Sequence, residues 1–341
     1  MKQIFIAVFL MVTTALLAQN NVKDTLIISR PDAHAPISIM GDHTHKKGEF
    51  MFSYRFMLMN MDNIKQGTDD KDYNSLLMPN GGDYMVAPIE MPMQMHMLGA
   101  MYAINDDITL MAMLNYIDMS MDHVTAMGET FTTNSNGFGD IKATMLYNVF
   151  KEKSQSLHTQ LGVVLPTGNI ESKDVTAMSS GNEVILPYPM QIGSGTFGTE
   201  LGLTYTLQRS KWSFGSQLKG LLRFGKNNKD YRLGNQYGLN NWIAFKVSDW
   251  ISFSGRIEGL RVSKIEGSNS ELNPMMVITA DANNSGATFL NSGVGFNILI
   301  PSGSFKDFRF GFEFATPLLQ DVEGIQLKQR ETIIFGLQYM L

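Results

Sequence analysis

The side chains best equipped for chemistry here are methionines and histidines, and they crowd one end of the chain. Of 25 methionines, 17 fall between Met40 and Met127, and five of the six histidines (His34, His43, His45, His96 and His123) lie in the first 123 residues. Thioether sulfur and imidazole nitrogen are soft or borderline donors, suited to Cu(I) or Ag(I) and poorly suited to Mg or Ca. In FMFSYRFMLMNM, residues 50 to 61, Met51, Met57, Met59 and Met61 share one parity and Phe50, Phe52, Tyr54 and Phe56 share the other. A spacing of two places successive sulfurs on one side of an extended strand, where a soft cation could pass from one to the next. The plainer reading is that methionine is a flexible apolar filler, packing an inserted segment or touching hydrophobic solutes. Both readings stand on the same residues.

A second candidate precedes that stretch, in DAHAPISIMGDHTHKKGE (32–49). Extended, it places His43 and His45 on one face, with His34, Met40 and Asp42 close in sequence, a donor set for copper. An isolated His-x-His also arises by chance. Because the segment leads into the first strand, it can also fold back as a plug, and the two roles are compatible.

Catalysis finds less support. Ser120, Asp122 and His123 sit within four residues of one strand and cannot form a triad, which needs convergence from separate elements. There is no G-x-S-x-G, no His-Glu-x-x-His and no phosphate-binding loop. Asp106 and Asp107 read as turn residues. The chain is expected to be no enzyme and to require no cofactor, Cu(I) being the one candidate ion.

The elements that must position these residues follow from the same parity. Alternating segments recur at roughly 48–61, 92–104, 108–121, 137–150, 156–166, 195–208, 211–225, 231–247, 250–262, 287–300, 307–316 and 328–341. Phe308, Phe310, Phe312 and Phe314 against Arg309, Gly311 and Glu313 illustrate the pattern. Strands of ten or more residues suit a tilted bilayer crossing. Aromatics near strand ends (Tyr102, Tyr116, Tyr147, Tyr205, Trp212, Tyr339) suit interfacial girdles. Links alternate short and long, the long ones at 62–91, 122–136, 167–194 and 263–286, with 226–230 and 317–327 brief.

The expected fold is all-β, an antiparallel transmembrane β-barrel of about twelve strands with a possible N-terminal plug in the lumen. Facing the aromatics of strand one to lipid turns Met51, Met57, Met59 and Met61 inward with Arg55. The next strand contributes Met91, Met93, Met95, Met97 and Met101, and the third Met111, Met113, Met119 and Met121. The remaining strands turn in Glu200, Lys219, Arg223, Arg256, Glu258, Arg309 and Glu313. Gln94 and His96 then share the outward parity and must lie beyond the hydrocarbon edge.

Composition sets the compartment. Residues 1–18 combine Lys2, an apolar run and a small residue, the pattern of a secretory signal peptide. There is no cysteine, hence neither a lipid-anchored cysteine nor a disulfide. The expected organisation is a signal peptide over 1–18, a periplasmic or plug segment over 19–47 and a barrel over 48–341 in the outer membrane of a Gram-negative bacterium. A net charge of −5 without basic-aromatic clusters argues against nucleic acid as a partner. Expected partners are outer-membrane lipid and a small solute or soft metal ion, with the barrel a monomer.

The run HAPISIMGDHTHKKGEFMFSYRFMLMNM, then MPMQMHMLGAMYAINDDITLMAMLNYIDMSMDH and the strand start Gly137-Phe138-Gly139-Asp140, resembles bacterial outer-membrane transporter-like proteins related to the MetA-pathway of phenol degradation. The resemblance is specific over about residues 33 to 150 and architectural beyond. Its motif positions are His34, Gly41, Asp42, His43, His45, Gly48, Glu49, Tyr54 and Arg55 together with the methionines. It implies a barrel channel for small, often hydrophobic molecules, and it carries over no catalytic residue. Three functional readings are therefore carried forward: a solute channel, a soft-metal barrel, and a plugged binding or structural barrel.

Overall fold

Strict alternation makes long strands, and each strand leaves unpaired backbone groups along both edges that lipid cannot satisfy, so the sheet must close. The computed structural model describes residues 30–152 and 154–341, and the expected signal peptide lies outside the described residues. The wall is built from β1 (Phe50–Gly67), β2 (Val86–Ala103), β3 (Ile108–Thr125), β4 (Ile141–Glu152), β5 (Gln155–Leu165) and β6 (Gly198–Gln208). It continues through β7 (Trp212–Arg223), β8 (Gln236–Lys246), β9 (Ile251–Val262), β10 (Ala287–Leu299) and β11 (Phe308–Met340). Each pairs antiparallel with the next, and β11 returns to β1 in a register running from Met51↔Met340 to Gly67↔Val322.

These eleven elements make twelve passes, because the 33-residue β11 crosses the wall twice. Its first half pairs with β10 as far as Ala287↔Val322, and its second half pairs with β1. The chain reverses around Gly324, whose φ of 73° lies in the left-handed region that glycine occupies freely. The expected link at 317–327 is therefore mostly strand.

Two other expected links also differ. The span 122–136 holds a strand, Thr130–Phe138, which pairs with the upper half of β3 while β4 pairs with its lower half. The chain is interrupted at Gly139-Asp140, a kink that hydropathy alternation passes over. The strand expected from residue 231 begins at Gln236, because Tyr231–Arg232 pairs instead with Glu266–Gly267 in the adjoining loop.

Parity divides each strand between two faces. Leu98 and Leu218 are 56% exposed on the outer face, whereas Met121 and Glu313 are fully buried inside. Tyr54, Tyr102, Tyr116 and Tyr147 are exposed as well. His96 shares this outer face, bonded to the Tyr54 hydroxyl at 2.8 Å and opposite Tyr116. Its polar ring thus lies in an aromatic row instead of among aliphatic side chains. Among the described residues no helix is long and apolar enough to cross a membrane.

Candidate functional site

The lumen is occupied near its short-turn end by residues 30–49, whose backbone is bonded by inward wall side chains. The Arg309 guanidinium donates to the Ala35 carbonyl at 2.6 Å and to Asn297 at 2.7 Å. Glu313 accepts from the Ser38 amide at 3.1 Å and its hydroxyl at 2.5 Å, and pairs with Arg256 at 2.7 Å. Gln217 donates to the Met40 carbonyl at 3.1 Å, and His158 and Gln160 both donate to the Gly41 carbonyl, at 2.8 and 2.5 Å. Ser213 donates to the Asp32 carbonyl. A segment whose regular structure is one 3-10 turn, Pro31–Ala33, thereby has the carbonyls of Asp32, Ala35, Met40 and Gly41 satisfied, as burial demands.

Packing matches the polar contacts. Ala35, Ile37 and Ile39 are buried, and Ala35 and Ile39 cluster with Trp242. Ile37 enters a socket formed by two inward glycines of β11: a Cβ on Gly336 would lie 2.4 Å from its Cδ1, and one on Gly311 would lie 3.0 Å from its Cβ. Those glycines are where the wall makes room for the segment.

Of the sequence-predicted donor set, His34, Asp42 and His43 come together, each offering a ligand atom within 4.8 Å of the others. The His43 ring stands 4.6 Å from that of His34 and 4.8 Å from that of His45, both edge to face. Asp42 organises the group. One carboxylate oxygen accepts from the Ala35 amide at 2.9 Å and the other from His43 Nδ1 at 2.9 Å. A carboxylate only accepts, so Nδ1 carries a proton, which in the neutral ring leaves the lone pair on Nε2 of His43. Burial, with the Arg309 charge second, holds His34 well below its ordinary range. Burial, with His43 second, lowers His45 to about 3. Met40 does not join this group and packs against Met51, Met101, Met111, Met113 and Leu146.

The methionines divide by depth. Met51, Met101, Met111 and Met113 form that inner cluster around Met40. Met91, Met119 and Met121 form an outer one with Leu186, Met190 and Ile192, and Met61 and Met93 pack at its margin. Leu186, Met190 and Ile192 belong to the long 167–194 connection, which folds in from the other end. Met97 is buried and Met95, opposite Met57 on β1, is partly buried.

Two cavities adjoin these clusters. The outer, about 470 Å³, lies among the long connections and is lined by Phe131, Met178, Val184, Leu186, Leu272 and Met276, with Lys173, Glu183 and Glu271 also present. His123 joins its lining and stacks on Phe131 at 4.7 Å. The inner, about 300 Å³, lies beside Ser38, Ile39 and Met40, with Met57, Met59, Leu260 and Ile334 on its apolar side and Lys219, Arg256 and Glu258 on the other. Glu200 pairs with Lys219 at 2.9 Å and Lys142 at 3.5 Å. Arg55 and Arg223 are buried in the same interior.

Some residues that organise the site escape sequence reasoning. Asp140 accepts from the Gly168 amide at 3.0 Å and from the Ser194 amide and hydroxyl at 3.1 and 2.5 Å, pinning both ends of the inward-folding connection. The sequence marked Asp140 only as the end of the strand start Gly137-Phe138-Gly139-Asp140. Gly311 and Gly336 were legible as inward-parity glycines between large neighbours, though nothing local named Ile37 as the guest.

The arrangement is that of a closed barrel with an occupied lumen, and the comparisons agree on the barrel. Residues 80–328 match the family described as "Putative MetA-pathway of phenol degradation", and the chain belongs to that family. No curated protein sequence matches it. The fold is similar to that of the COG4313 outer membrane channel from Pseudomonas putida F1, with 13% identity, 88% of this chain and 98% of that chain covered, and a TM-score of 0.60. It also aligns with the Pseudomonas putida toluene transporter TodX at 10% identity, covering 92% of each chain with a TM-score of 0.43. The chain is thus a closed antiparallel β-barrel whose fold is similar to that of an outer membrane channel.

Proposed function

We propose that this barrel conducts small hydrophobic solutes across the outer membrane and that residues 30–49 are its gate. The carrying observation is the outer cavity of about 470 Å³, lined for the most part by apolar side chains, together with the inner one of about 300 Å³, where Met57, Met59, Leu260 and Ile334 form an apolar side opposite charged residues. An apolar wall favours an uncharged ligand against it, because a charged one would lose its hydration there without full replacement. Methionine suits such a lining, since its unbranched thioether repacks around different shapes. The family's association with phenol degradation is consistent with this solute class.

In this reading a solute collects in the outer cavity, passes as the 186–192 segment shifts, and reaches the inner cavity. It leaves when the N-terminal segment moves. Many of the bonds holding that segment are between its backbone and wall side chains, so they can break and re-form without side-chain repacking within the segment. The soft-cation conduit along the methionine rows is disfavoured by their engagement with apolar partners at both ends of the lumen.

The test is uptake by proteoliposomes of a small aromatic hydrocarbon against a charged solute of similar size. The hydrocarbon is expected to enter faster than through protein-free vesicles, and the charged solute is not. Equal entry of both would point to a general aqueous pore, and entry of neither to a closed structural barrel.

A further inference from the structure

We infer that the imidazoles of His34 and His43 in the luminal segment, oriented by Asp42, form a binding site for one borderline transition-metal ion, copper or zinc. The site joins residues nine apart in the chain by a turn at Gly41, whose φ of 65° is in the left-handed region. Three features go beyond a chance cluster.

First, the imidazoles present buried ring nitrogens that are unpartnered. Nδ1 of His34, Nε2 of His43 and both ring nitrogens of His45 lack hydrogen-bond partners among the described residues. Buried polar atoms are ordinarily paired, and unpaired nitrogens on rings whose centroids lie 4.6 and 4.8 Å apart are what a metal ion would satisfy. Second, the carboxylate of Asp42 fixes the His43 tautomer from the far side of the ring, the arrangement that orients a metal-bound imidazole. Third, Met51 and Met340 line the same small cavity as His34, His43 and His45. Imidazole and carboxylate suit zinc and copper alike, and a thioether at hand favours Cu(I).

A bound ion would tie Ala35 and its neighbours to the 42–43 turn and stiffen the segment that Arg309 and Glu313 hold. That consequence rests on the gating reading. Binding itself does not, so it is measured separately from transport.

The full-length protein, folded in detergent, is titrated in turn with Zn(II) and with Cu(I) under reductant against a competing chelator. The H34N and H43N variants are run beside it. Asparagine at 43 keeps a donor near the Nδ1 position while removing Nε2. One ion per chain is expected, with affinity at least about tenfold weaker in each variant, as when support for a metal-binding imidazole is lost. The preferred ion separates copper from zinc.

No stoichiometric binding of either ion overturns the inference, and so does equal affinity in wild type and both variants. Should the variants fail to fold, X-ray absorption on the loaded wild type decides. Imidazole nitrogen at about 2.0–2.1 Å supports the site, and a sulfur-only shell contradicts it. A fourfold variant, M57L/M59L/M93L/M95L, is expected to keep the site intact. If it alone loses the ion, the site is in the methionine wall and the inference fails.

Discussion

Glu313 is fully buried and satisfies the Arg256 guanidinium together with two groups of Ser38. Replacing it with glutamine removes the charge that compensates a buried arginine, a change of about 3 kcal/mol where a buried pair is broken. The loss is expected near that lower bound because Glu258 still lies 3.1 Å from Arg256. A reduced urea midpoint for E313Q with an unchanged slope checks it. Gly336 offers a steric counterpart. In G336V the new side chain would meet Ile37, whose Cδ1 already lies 2.4 Å from an ideal Cβ at that position. The N-terminal segment is expected to be expelled and to become cleavable by added protease while the barrel stays intact. A segment as protected as in wild type would mean that the socket does not hold it.

Among elements, the methionine stripes act as adaptable packing, so shape matters more than sulfur. Triple replacement of Met91, Met119 and Met121 by leucine is volume-conserving and is expected to cost below about 1.5 kcal/mol per site. A thermal unfolding shift much beyond that would show that the thioethers themselves are required. The strands around these stripes were legible because a period of two with one apolar face is a backbone property, independent of distant contacts. Met51 and Met121 could be assigned inward on that ground alone. The broken strand before Asp140 was not legible, since it depends on a carboxylate reaching Gly168 and Ser194 far along the chain. The histidine group was half legible: spacing joined His43 to His45, whereas the ring of His34 reaches His43 only through the turn at Gly41. Met40 was misplaced for a related reason, because the segment turns it toward the wall methionines.

For the whole molecule, the outer face is a lipid contact and the inner face a packed interior, and the two should respond differently to charge. Leu218 is exposed outward and pairs across the sheet with Leu203. Arginine on the lipid face of a barrel costs about 2–4 kcal/mol near the bilayer midplane. L218R is therefore expected to lower folding stability in lipid vesicles by an amount in that range, with far less effect in detergent. Equal sensitivity in both media would argue that this face is not lipid-bound.

The central claim is that the segment at 30–49 must move for solute to pass. The chain has no cysteine, so one engineered pair can form only one intramolecular disulfide. In I37C/G311C the two Cβ positions lie 3.0 Å apart, which a shift of a few tenths of an ångström brings to the disulfide range of about 3.5 Å and above. Hydrocarbon uptake by this variant in proteoliposomes is predicted to cease when the pair is oxidised and to return when it is reduced. Uptake that continues unchanged with the segment covalently fastened to the wall would contradict the account.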